Sequence, residues 1–251
     1  MCWLAEFEEA AEFARRSRPI AEKLGDPFLS KAQMAYEANV LNFITPVEEM
    51  TFVEEICHRY IAIQYDLGAV YSGPPHQLVF TLCTQGRYEE ARTEIAKGLV
   101  TLAERNQPDL TTRGLYSISS VHFDDGALAR SLLDRFSPPA GIVAGWFSVT
   151  RGRLSLANGN RNEACRLFEQ ALTNFREDNS PSDAIWFSAD RALAARTREP
   201  LHKAIDGVLS SKAYALVHWL IPAAALTFLE EGDVERAVEF YALAETYAAI
   251  A

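Results

Sequence analysis

The chain is short of positive charge. Against 34 Asp and Glu residues stand 24 Lys and Arg, a net charge of −10 over 251 residues, and no run of Lys and Arg forms a basic stripe. Binding nucleic acid directly requires a basic face to neutralise phosphates, so that class of partner is not expected. Paired cysteines are missing too. Cys2, Cys57, Cys83 and Cys165 are widely separated and show neither metal-site nor redox spacing, which predicts reduced thiols in a cytoplasm. Met1-Cys2-Trp3-Leu4 runs at once into charged residues, so no signal peptide is expected. The longest uncharged run, Ala213 to Leu229, is 17 residues, short for a membrane span and interrupted by His218 and Pro222. It reads as a buried helix.

Catalytic signatures are equally scarce. None of His58, His76, His122, His202 and His218 has a second histidine three or four residues away, so no helical metal pair is present. Gly141-Ile-Val-Ala-Gly145, Gly152 and Gly159 lack the lysine and spacing of a phosphate loop, and no Gly-x-Ser-x-Gly elbow occurs. The acid pairs (Glu8-Glu9, Glu48-Glu49, Glu54-Glu55, Glu89-Glu90, Asp124-Asp125, Glu230-Glu231) fall at helix starts, turns or exposed faces, where solvation and the helix dipole account for them. No enzyme activity, metal or cofactor is expected. The rival reading is a helical enzyme with a buried site, for which His122 beside Asp124 and Asp125 is the candidate cluster.

No stretch alternates with period two, so no sheet is expected. What the chain has instead is a recurring helical pattern. Gly86, Gly159 and Gly232 stand 73 residues apart twice over. Counted from each glycine, the fifth residue is Ala91, Ala164 and Ala237, the ninth is Ile95, Phe168 and Tyr241, and the twelfth is Gly98, Ala171 and Ala244. Small residues at five and twelve with a bulky one at nine share one side of a 3.6-residue helix, where they admit a close neighbour. The glycine ends the helix before it, because a left-handed cap costs glycine nothing.

Each copy therefore reads as helix, tight turn, helix. Turns are placed near residues 5, 45, 86, 126, 159, 197 and 232, with spacings of 33 to 41 residues. Asp26-Pro27 starts one helix, and Thr45-Pro46-Val47-Glu48 and Ser180-Pro181-Ser182-Asp183 read as capping boxes. The helix after Thr45 carries Phe52, Ile56, Tyr60 and Ile63 as its apolar stripe.

Gly86-Arg-Tyr-Glu-Glu-Ala91, followed by Ile95, Gly98 and Leu99, resembles the second half of a tetratricopeptide repeat (TPR). The resemblance implies an all-α fold, an α-solenoid of about seven TPR-like hairpins in a right-handed superhelix, spanning 1–251 as one domain. The irregular unit length loosely resembles the sensor arms of large bacterial ATP-dependent transcription regulators. The function implied is non-catalytic recognition in signalling or transcription regulation, with a protein segment or small molecule held in the concave groove.

In such repeats the first helix of each hairpin lines that groove. Positions 13, 10 and 6 before the turn glycine then give Trp146, Val149 and Arg153; Trp219, Pro222 and Leu226; and Gly73, His76 and Phe80. The groove-binding set is accordingly Trp146, Val149, Arg153, Trp219, His76 and Phe80, and an open channel would leave both tryptophans partly exposed. The last helix also carries Val238, Tyr241, Leu243 and Tyr247, a bare apolar face that a partner or a second copy could cover.

Overall fold

The computed structural model describes residues 6–46, 49–66, 76–104, 116–118, 126–133 and 141–250. Among these the protein is all-helical, without a strand. The helices are α1 (Phe7–Leu24), α2 (Pro27–Ile44), α3 (Met50–Asp66), α4 (His76–Thr84), α5 (Tyr88–Glu104), α6 (Gly126–Leu133), α7 (Ile142–Ala157), α8 (Arg161–Glu177), α9 (Pro181–Ala195), α10 (Arg198–Ser211), α11 (Val217–Glu230) and α12 (Val234–Ile250). A 3-10 turn at Tyr214–Leu216 precedes α11. No helix among the described residues is long and apolar enough to cross a membrane.

The turns follow from backbone chemistry. Gly25, Gly86, Gly159 and Gly232 all take positive φ, between 63° and 81°. At Gly86 the hydrogen bonds Arg87 N to Leu82 O and Gly86 N to Cys83 O close the helix end, and the same pair recurs at Gly159 and Gly232. This is the two-bond left-handed cap. Asn179 and Lys212 close α8 and α10 by the same two bonds without a glycine. Asp26 caps α2 as expected, accepting from Phe28 N (2.8 Å) and Leu29 N (3.3 Å).

Helices consecutive in the chain pack on one another from α1 to α5 and from α6 to α12, and α2 also meets α4, α7 meets α9, and α9 meets α11. Two layers result. The inner helices are buried nearly all round: every residue of α4 but His76 is buried. The outer helices bury one stripe, as α8 does with Ala164, Leu167, Phe168, Ala171, Leu172 and Phe175. Close approach between layers needs absent side chains. A Cβ on Gly152 of α7 would lie 2.6 Å from the Phe168 ring, and one on Gly145 would strike Phe175.

Several expectations are corrected. The buried stripe of α3 is Val53, Ile56, Cys57 and Tyr60, while Phe52 is exposed, because α3 turns that edge toward α2 and α4. Ser180 does not cap α9 with its side chain; its hydroxyl donates instead to the buried Asp183 carboxylate. Residues 213–216 are a turn rather than the start of α11. The sequence also reads as a helix over Asp109 to Phe123, of which only 116–118 are described and are helical, and Glu48 of the other capping box lies outside the described residues. The first helix meets a segment distant in sequence: Phe7 and Ala10 of α1 share one apolar cluster with Val208, Ala213 and Leu216 at the end of α10 and the turn after it, and Lys212 pairs with Glu8. A stack in which each repeat touches only its neighbours does not describe that seam.

Candidate functional site

The inner helices bring their aromatic and ionic residues to one place. Phe43 of α2 stacks on Phe7 (centroids 4.6 Å apart) and meets Trp186 of α9 edge-on at 5.9 Å. Phe80 of α4 lies edge-on to Trp186 at 4.7 Å and parallel to Trp219 of α11 at 6.4 Å. Arg153 of α7 places its guanidinium carbon 5.6 Å from the Trp219 ring centre and 5.8 Å from that of Phe187. Such contacts add roughly 1 kcal/mol each beyond burial.

Arg153 is only 7% exposed. Its Nε donates to Asp190 Oδ1 (2.7 Å), Nη2 to Asp190 Oδ2 (2.9 Å) and Nη1 to Ile118 O (3.2 Å). The charge is thereby matched inside the protein by a fork geometry only arginine supplies. Trp146, two turns further back on α7, donates its indole N–H to Asp183 Oδ1 at 2.9 Å, and Asp183 Oδ2 accepts from Ser180 Oγ at 2.5 Å. Burial pushes the Asp183 carboxyl up to about 6, overriding the two hydrogen bonds that pull it down.

The expected groove set is thus split. Phe80, Arg153 and Trp219 come together; Val149 is wholly buried, His76 sits half-buried at the start of α4, and Gly73 lies outside the described residues. Trp146 is 5% exposed, so it is a core residue and not a surface of an open channel. Trp219, at the equivalent place, stays half-buried. The difference has a cause: α9 covers the Trp146 side of α7, whereas no further inner helix follows α11 among the described residues.

The missed residues are Asp183, Trp186 and Asp190. They lie 37 residues beyond Trp146, Val149 and Arg153, one hairpin on. Their helix ends at Arg196, in left-handed conformation without a glycine (φ 52°), so no turn glycine marks them. Trp186 is half-buried, and its Nε1 is buried without a hydrogen-bond partner among the described residues. So is Nε2 of His218, beside Trp219, whose ring burial holds neutral by lowering its pKa to about 4.

Among the described residues no group of three or more His, Cys, Asp and Glu could hold a metal. Cys57 is buried beside an exposed His58, and burial pushes the thiols of Cys57 and Cys83 up to about 12. The cluster of His122, Asp124 and Asp125 lies outside the described residues. Comparison of the chain with protein-family models, with curated proteins and with solved structures finds no match.

Proposed function

We propose that the protein is a non-catalytic recognition module, a TPR-like right-handed superhelix of hairpins that holds a protein segment or small molecule against its inner helices in a signalling or transcription-regulating role. The observation that carries this reading is the convergence of Phe43, Phe80, Trp186 and Trp219 from four helices, with Trp186 and Trp219 still half-exposed. Rigid aromatic surface with few polar handles is what ligand sites use. Arg153 is already satisfied by Asp190, so the ligand's contact with this site is apolar and hydrogen-bonding rather than ionic.

The test is a screen of peptides and metabolites on the full chain, read by tryptophan fluorescence in a Trp146→Phe background. A ligand of this site loses at least tenfold in affinity in both Trp186→Ala and Trp219→Ala, a loss of about 1.4 kcal/mol or more. Hits indifferent to both substitutions would sink the reading.

A further inference from the structure

The two outermost helices in sequence, α1 and α12, each carry an apolar stripe beside the face they bury. On α12, Val234, Val238 and Tyr241 are 58%, 60% and 60% exposed, and steps of four and three put them on one flank. On α1, Phe13, Ile20 and Leu24 are 60% or more exposed, and steps of seven and four do the same. The flanks are opposite. Measured from the alanine the two helices share in the repeat, Ala10 or Ala237, Phe13 lies three residues on and Val238 one, about −60° and +100° around the helix at roughly 100° per residue.

The protein already uses the second flank once internally. Adding 73 to Arg161 and Cys165 of α8 gives Val234 and Val238 of α12, while Tyr241 corresponds to Phe168, which α8 turns onto Gly152 of α7. In α8 the first two face α9: Arg161 donates to Ala194 O and Ala195 O, and Cys165 borders the same crevice. The α12 flank is thus shaped to receive a neighbouring helix. On α1, Phe13 forms one wall of an open cleft of about 670 Å³ whose other walls include Ile44 and Tyr214. The edges also match. Glu235, Glu239 and Glu245 border the α12 stripe, whereas Arg16 and Lys23, with Glu9 and Glu12 beside them, border the α1 stripe and offer that acidic edge two cations.

We propose that the protein self-associates head to tail, the Val234–Val238–Tyr241 flank of one copy seated on the Phe13–Ile20–Leu24 flank of the next. Such a contact is heterologous and leaves one free flank at each end, so assembly is open-ended rather than a closed pair. The inference is independent of the inner aromatic site.

Sedimentation of the full chain and two variants tests it, with circular dichroism checking that the exposed-site variants stay folded. Wild type is expected to grow beyond dimers as concentration rises. Val238→Glu and Ile20→Glu each lose association at least tenfold, and their mixture forms a one-to-one dimer that grows no further, since only one intact flank of each kind remains. A wild type that stays monomeric overturns the proposal. So does an Ile20→Glu protein that still associates, which indicates α12 pairing with α12, or a mixture that stays monomeric.

Discussion

Arg153 and Asp190 stand 37 residues apart on neighbouring inner helices and clasp each other through two hydrogen bonds of 2.7 and 2.9 Å. Trp146 and Asp183, seven residues earlier on the same two helices, are separated by the same 37 residues and joined by a 2.9 Å bond. The register between α7 and α9 is therefore set by two polar contacts one heptad apart, within an interface that is otherwise apolar. A slip of one residue would take the α7 donors from two buried carboxylates, leaving Asp183 with Ser180 alone, which is far costlier than a misplaced methyl group.

Removing one member of the ion pair tests that view. Asp190→Ala leaves the Arg153 guanidinium buried beside Trp219 and Phe187 without its carboxylate partner. The expected loss is about 3–5 kcal/mol in a urea unfolding curve. Replacing both partners, Arg153→Met with Asp190→Leu, is expected to recover most of it, because the cost lies in the unmatched charge. A double variant as weak as the single one would mean that the pair supplies net attraction.

Two buried groups give opposite responses to pH. Asp183 binds its proton below about 6 when folded and below its ordinary 3.8 when unfolded, so its contribution to stability falls as pH rises from about 4 to 6. His218 behaves inversely: folded, it stays neutral down to about 4, while the unfolded chain takes up the proton near 6.5, so stability falls as pH drops through that window. The two slopes largely cancel between pH 4 and 6. Asp183→Asn is expected to raise stability at pH 7, by up to about 3 kcal/mol, and to expose the histidine's acid sensitivity. His218→Gln exposes the opposite slope. Urea midpoints of the three proteins at pH 4.5, 6 and 7.5 check both signs; parallel profiles would refute the pairing.

Gly152 lies where the Phe168 ring presses on α7. Alanine there gains roughly 1 kcal/mol of helix propensity but places a methyl 2.6 Å from that ring, and overpacking of this kind costs about 1–3 kcal/mol. The expected net result is a lower melting temperature. Phe168→Leu, destabilising alone, should be milder in the Gly152→Ala background, as a double-mutant cycle by calorimetry would show. Additive losses would mean that the ring simply moves aside.

Much of this architecture was legible in the sequence, and the parts that were not have a common cause. Gly86, Gly159 and Gly232 announced their turns because a left-handed cap favours glycine. Asn179, Arg196 and Lys212 take the same conformation without glycine, so the hairpin between Asn179 and Lys212, though marked by Ser180-Pro181 and a turn near 197, offered no turn glycine from which to count groove positions, and Trp186 and Asp190 were missed with it. Reading onward by 37 residues from Trp146, Val149 and Arg153 would have found them. Burial was less legible still. Trp146 and Trp219 share a repeat position, yet only contact with a following inner helix separates a core indole from a half-exposed one.

That contrast is measurable in the four tryptophans of the chain. Trp146 is sealed behind Asp183 and α9, whereas Trp186 and Trp219 each keep part of the indole open to solvent. Trp146→Phe is expected to leave the acrylamide-quenchable fluorescence almost unchanged. Trp186→Phe and Trp219→Phe are each expected to lower it, and a ligand seated between Phe80 and Trp219 to protect what remains. The assignment fails if quencher reaches Trp146 as readily as Trp219, because α9 would then not be closed over α7. If instead neither Trp186 nor Trp219 responds, the inner aromatic cluster is core throughout, and recognition has to be sought on the outer flanks of α1 and α12.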